Sequence, residues 1–139
     1  MAMVYSTGPV ENAAGNASIS AWIKVLNNNE AEPVEVFTRL FRLNGEKQEV
    51  ASTTFFVSPQ NSEFHVFNLE GMGQFEIQVR VNPDRNTLVS IWGKDADGDL
   101  TATHRFLPGE LTPLSMTAEN PSRPPSTLKR KTSAKNRSR

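Results

Sequence analysis

Between Ala17 and Leu107 apolar and polar residues alternate with a period of two, and no stretch carries the 3.6-residue spacing of an amphipathic helix. The pattern predicts seven strands. The first, Ala17–Leu26, sets Ile19, Ala21, Ile23 and Val25 against Ser18, Ser20 and Lys24. Val34–Leu43, Glu49–Val57 and Glu63–Leu69 follow. Gln74–Val81 alternates most cleanly, with Phe75, Ile77, Val79 and Val81 on one side and Glu76, Gln78 and Arg80 on the other. Thr87–Lys94 and Leu100–Leu107 complete the set. Successive strand side chains point to opposite faces, so each run presents one face to a core.

The breaks agree with this reading. Asn44-Gly45 and Asp97-Gly98 supply the positive φ angles that tight hairpins need. Gly71-Met72-Gly73, Ser58–Ser62 and Asn82–Asn86 are turn-forming clusters. Short strands at regular spacing predict an antiparallel β-sandwich, immunoglobulin-like first and jelly-roll second. A jelly roll needs an eighth strand, which Met3–Ser6 can supply. The expected organisation is an N-terminal arm over 1–16, a sandwich over 17–111 and a Pro-rich basic tail over 112–139.

Charge sharpens the last boundary. The net charge of zero combines a body, residues 1–118, with eight Lys or Arg against fourteen Asp or Glu, and a tail with seven basic residues against Glu119. The body carries −6 and the tail +6. Arg123, Lys129, Arg130, Lys131, Lys135, Arg137 and Arg139 repel one another, and Pro121, Pro124 and Pro125 block regular structure. Disorder is therefore expected there, with non-specific polyanion contact as its candidate role. No aromatic residue accompanies these charges, so base-specific recognition is not expected. Lys129-Arg130-Lys131 is short for a nuclear signal.

Candidate chemistry is sparse. There is no cysteine, hence no disulfide, thiolate metal site or cysteine nucleophile. Neither a secretory leader nor an apolar run of membrane-spanning length is recognisable, so cytoplasmic synthesis without membrane insertion is expected. Without a leader, the sequons at Asn16 and Asn136 are discounted. His65 and His104, near Glu63 and Asp99, read as ordinary strand residues before they read as ligands or acid–base groups. Asp95-Ala96-Asp97-Gly98-Asp99 lacks EF-hand spacing and reads as an Asp-rich turn. No cofactor, metal or catalytic residue is expected, and the chain is read as a non-enzyme.

The aromatic residues say more. Strand parity sets Trp22 with Ser20 and Lys24, away from the apolar face, and Trp92 with Ser90 and Lys94. Either ring can instead face the core. Val34–Leu43 is apolar on both sides, so it is either central and covered twice or exposes Val34, Val36 and Leu40 as an assembly surface. Val4 and Tyr5, in the arm, can pair with a neighbour's sheet edge.

Tyr5-Ser6-Thr7-Gly8-Pro9-Val10-Glu11-Asn12, Phe41-Arg42-Leu43-Asn44-Gly45, Val57–Ser62, Ile91-Trp92-Gly93-Lys94-Asp95 and His104-Arg105 together resemble small β-sandwich proteins of spore-forming bacteria such as bacilli. The resemblance covers residues 5–111 and implies a bacterial structural or surface protein. The expected function is a non-enzymatic structural protein that self-assembles or decorates a bacterial surface, such as a spore's, or a filament. A homo-oligomer or a surface scaffold protein is the expected partnership. A phage capsid decoration or tail protein and a carbohydrate-binding module are the alternatives.

Overall fold

The computed structural model describes residues 1–115. Among them are ten strands and no helix: β1 Met3–Ser6, β2 Val10–Glu11, β3 Ser20–Asn27, β4 Val34–Leu43, β5 Lys47–Val57, β6 Asn61–Asn68, β7 Gln74–Asn82, β8 Thr87–Lys94, β9 Leu100–Phe106 and β10 Thr112–Leu114. No helix here is long and apolar enough to cross a membrane. All seven predicted strands form, as β3 to β9; β4 and β8 keep their expected bounds, and no other end shifts by more than three residues.

Two antiparallel sheets face each other. One runs β10-β1-β7-β4-β5, with β2 beside β7, and the other runs β6-β3-β8-β9. The immunoglobulin order keeps its first, second, fourth and fifth strands in one sheet. Here the corresponding strands divide, β3 and β6 on one side and β4 and β7 on the other. Met3–Ser6 supplies a further strand, so the fold is a two-sheet antiparallel β-sandwich. β4–β5 and β8–β9 are hairpins within a sheet, β1 and β2 follow one another along β7, and every other connection crosses the sandwich.

The core lies between the sheets. Ile23, Leu40, Phe75, Ile77, Val79, Val89 and Ile91 are buried there, as the alternation of β3, β7 and β8 requires. Val34, Val36 and Leu40 belong to it too, at 0, 0 and 1 % exposure, so they are not an assembly surface. β4 is central, hydrogen-bonded to β5 and β7, and its apolar outer positions are covered by long cations. Arg39 lies over Phe37 and Phe41, and Lys47 lies 4.4 Å over Phe41.

The arm is also part of the sandwich. β1 pairs with β7 and β10, and β2 continues along the same edge of β7 after the Gly8-Pro9 break, where Gly8 takes φ +69°. Val4 is 1 % exposed, so it is not available to a neighbour's edge. Tyr5 is half-buried and donates its hydroxyl to Asp84 at 2.6 Å. Burial, then the hydrogen bond to Asp84 and that carboxylate's charge, push the Tyr5 phenol up to about 12. The sandwich therefore runs from Met3 to Leu114, beyond the expected 17–111 at both ends.

Candidate binding face

The outer side of β6-β3-β8-β9 is built by parity. With Ala21, Ile23 and Val25 buried, Ser20, Trp22, Lys24 and Leu26 must point outward. Val89 and Ile91 likewise turn Leu88, Ser90, Trp92 and Lys94 out. Both Trp residues thus lie on the expected face, each half-buried.

The register brings them together. Trp22 stands directly opposite Trp92, Ser20 opposite Lys94, and Lys24 opposite Ser90. Each strand carries Ser-x-Trp-x-Lys, at 20–24 and at 90–94, and antiparallel pairing relates the two copies by a local two-fold axis between the indoles. Each indole N–H donates to the serine two residues before it, Trp22 to Ser20 at 3.0 Å and Trp92 to Ser90 at 2.9 Å. The repeat is visible in the sequence once the two strands are read against each other.

Around this axis the two rings differ. Phe64, on β6, stacks on Trp22 with ring centroids 5.2 Å apart, and the Lys94 ammonium lies 4.0 Å from the Trp22 centroid. Lys24 lies 5.3 Å from the Phe64 centroid. Trp22 is thus packed between neighbours on one side, and both indoles border a shallow groove of about 720 Å³ with Ser90, Lys94, Asp99 and Leu100. Phe64 and Leu100 are 52 and 57 % exposed. Lys24, Phe64, Lys94 and Leu100 complete a face that the Trp residues alone did not define.

Charge sets this face apart. Its outward strand positions include Lys24, Lys94 and Arg105 and no carboxylate, on a body with fourteen acids. Among the described residues no carboxylate pairs with Lys24 or Lys94.

The other candidates settle elsewhere. His104 is buried, with Nε2 2.8 Å from the Glu11 carbonyl and Nδ1 2.7 Å from Ser18 Oγ. A carbonyl only accepts, so Nε2 carries the hydrogen and Nδ1 accepts from Ser18. Thr101 Oγ1 stands 2.9 Å from the same hydroxyl. A serine beside a histidine suggests a nucleophile, but Ser18 is 1 % exposed and no substrate reaches it. The trio ties β9 to the chain ahead of β3 and to β2. His65 lies edge-on to Phe67 at 4.8 Å, and burial pushes its pKa down. The carboxylates of Asp95, Asp97 and Asp99 come within 4.8 Å of one another. Asp95 Oδ1 accepts from the Asp97 and Asp99 amides, 3.0 Å each, and Gly98 takes φ +82°, which accounts for the residues as a hairpin turn. Arg123, Lys129, Arg130, Lys131, Lys135, Arg137 and Arg139 lie outside the described residues.

On the far side of the sandwich Glu76 is buried on the outer face of β7. It accepts from Ser6 at 2.5 Å and Gln78 at 3.1 Å and pairs with Lys47 at 2.9 Å. Burial pushes its pKa up, but these partners outweigh it and hold the carboxyl below the ordinary glutamate value.

Fold and face together define an antiparallel β-sandwich with an aromatic, cationic outer face. Compared with protein-family models, curated proteins and solved structures, the chain matches none.

Proposed function

We propose that this chain is a non-enzymatic structural module that docks through the outer face of β6-β3-β8-β9, as a subunit or decoration of a bacterial surface assembly. The observation that carries the reading is the paired Ser-x-Trp-x-Lys face, aromatic and free of carboxylates at its outward strand positions, on a body of net charge −6. Such a face is complementary to the acidic remainder of a second copy. A contact between two different patches is heterologous and propagates head to tail, as a filament or lattice requires. The bacterial, spore-associated setting rests on the sequence resemblance.

Sedimentation velocity in low and high salt tests this. The full chain should associate in low salt and dissociate as salt screens the charges. Trp92→Ala and Lys94→Glu should each abolish association without lowering the melting temperature. A full-length protein that stays monomeric at about 500 μM in low salt, where even millimolar contacts register, sinks the reading.

The groove beside Trp92 favours a second reading, a carbohydrate-binding module. Ser90, Asp99 and Lys94 offer hydrogen bonds around one open indole face, and Lys94 suits an acidic sugar. Against it, Trp22 is already covered by Phe64 and Lys94, so the face offers no row of free rings. Calorimetry with uronate oligosaccharides separates the two readings: saturable heat that Trp92→Ala removes, in a protein that stays monomeric, selects the second.

A further inference from the structure

We infer that the groove bordered by Trp22 and Trp92 receives the β3–β4 loop, Glu30-Ala31-Glu32-Pro33, of the next copy of this chain, which rests on the docking reading above and names the patch that fills the face. Groove and loop lie apart on one molecule. Trp22 stands near the start of β3, where Asp99 and Leu100 close the groove, and the loop follows Asn27 at the other end of that strand. Asn27 lies about 17 Å of strand beyond Trp22. A copy whose loop fills one groove therefore keeps its own groove open for the next, so the contact propagates.

The loop is held in a fixed shape. Residues 30–33 are all exposed, yet the backbone beneath them is tied down by amide side chains. Asn27, 0 % exposed, donates from Nδ2 to the Glu32 and Val57 carbonyls at 2.8 and 3.0 Å, and its Oδ1 accepts from the Asn29 amide at 2.8 Å. Asn29, also buried, donates to the Arg85 carbonyl at 2.9 Å. Gln60 Nε2 donates to the Asn28 and Asn29 carbonyls at 3.1 and 3.2 Å. No large apolar side chain between Asn27 and Pro33 anchors the loop, so this network sets its conformation. A loop already ordered loses little entropy on docking.

Charge selects this loop among the acids of the body. Glu11 and Glu110 accept from the Ala13 and Leu107 amides, and Glu49 and Glu76 pair with Arg39 and Lys47. Asp95, Asp97 and Asp99 belong to the hairpin beside the groove itself. Glu46, Glu63 and Glu70 stand singly on other elements. Glu30 has no cation partner among the described residues, just as Lys24 and Lys94 have no carboxylate. Glu30 and Glu32 thus supply the charge that those two ammonium groups lack, and Pro33 lays an apolar ring on an indole. Arg85, 2.9 Å from Glu32, brings a cation to Asp99, the carboxylate in the groove lining.

The test mixes two full-length variants in low-salt sedimentation velocity. Trp92→Ala spoils the groove and keeps the loop, whereas Glu30→Lys/Glu32→Lys spoils the loop and keeps the groove. Each alone should associate at least about tenfold more weakly than the wild type. Their equimolar mixture should form a species of two copies that grows no further, with the loop of the Trp92→Ala chain seated in the other variant's groove. A loop variant that had lost its fold could not form this species, because it must supply the groove. Glu46→Lys/Glu49→Lys makes the same change in net charge on the other sheet and should associate as the wild type does. Wild-type association by the loop variant, beside a monomeric Trp92→Ala, overturns the inference and leaves the docking face standing. An equal loss in the Glu46→Lys/Glu49→Lys variant overturns it as well, since bulk charge is then the cause, and so does a mixture that stays monomeric. A wild type monomeric at about 500 μM overturns the docking face and the loop's role together.

Discussion

Gly93, between Trp92 and Lys94, is the position where one methyl group should cost most. A Cβ built there lies 2.3 Å from Ser18 Oγ, 2.8 Å from His104 Cβ and 3.2 Å from Ser18 Cβ. Both neighbours are buried and hydrogen-bonded to each other. Gly93→Ala must therefore push Ser18 out of reach of His104 or separate β8 from β9. Overpacking costs about 1–3 kcal/mol and a buried imidazole nitrogen left without its partner costs a similar amount, so a loss of about 2–6 kcal/mol is expected. Ser18→Ala removes the closest atom. On its own it should cost about 1–3 kcal/mol, because His104 Nδ1 loses its donor. Added to Gly93→Ala it should restore at least about 1 kcal/mol, so that the double variant is more stable than the sum predicts. Rescue stays partial because His104 Cβ remains 2.8 Å away. Urea unfolding of the wild type, both single variants and the double variant, followed by Trp fluorescence, closes the cycle. A Gly93→Ala loss below about 1 kcal/mol, or strict additivity, refutes the packing described for this corner.

Further outcomes concern the core and two titrating groups. Ile77→Ala, at a fully buried position, should cost about 2–5 kcal/mol in the same urea assay. Gln78→Ala should cost about 1 kcal/mol, since Gln78 is outward yet 3 % exposed and bonded to Arg39 and Glu76. Glu76 has a lowered pKa in the fold, so its contribution is complete above the ordinary glutamate value of 4.5 and is lost as pH falls through the folded value. Glu76→Gln should flatten that acid limb of a stability–pH profile. Tyr5 has a raised pKa, so its contribution is complete below 10.0 and is lost as pH climbs toward about 12. Tyr5→Phe should remove this alkaline loss.

Strand parity was legible where one face alone is apolar. In β7, Phe75, Ile77, Val79 and Val81 turn inward as their alternation requires. β4 was not decidable in that way, because Phe37 and Phe41 match Val36 and Leu40 in hydrophobicity. What separates the two sides is a cover of Arg39 and Lys47, and Lys47 comes from the next strand. The burial of Gln78 has the same origin. Gly8-Pro9 reads as a break within an arm. In the fold it is a step between β1 and β2, two short strands on one edge of β7, and no local signal distinguishes these outcomes. Topology followed from which strands cross the sandwich, and connection lengths do not encode that. The outward placement of Trp22 and Trp92 was legible, whereas their direct opposition needed the register.

That register makes the docking face testable through its serines. A Trp side chain on an open sheet samples several rotamers, and fixing it on binding costs about 0.5–1.5 kcal/mol. Here each indole N–H is already held by Ser20 or Ser90, on the same side of the strand. Trp22 is held further by Phe64 and Lys94, so Ser20→Ala should change little. No ring stacks on Trp92 among the described residues, so Ser90 is its main constraint. Ser90→Ala should free the Trp92 ring, leave the melting temperature unchanged and weaken association about three- to tenfold, the equivalent of one newly mobile side chain. Time-resolved fluorescence anisotropy of Trp92, in a Trp22→Phe background, should show faster local rotation in the Ser90→Ala variant. If the ring loosens and association holds, Trp92 is a bystander and the docking surface lies elsewhere on the sandwich. If association falls with no change in rotation, Ser90 contacts the partner directly and the indole is not the preorganised element.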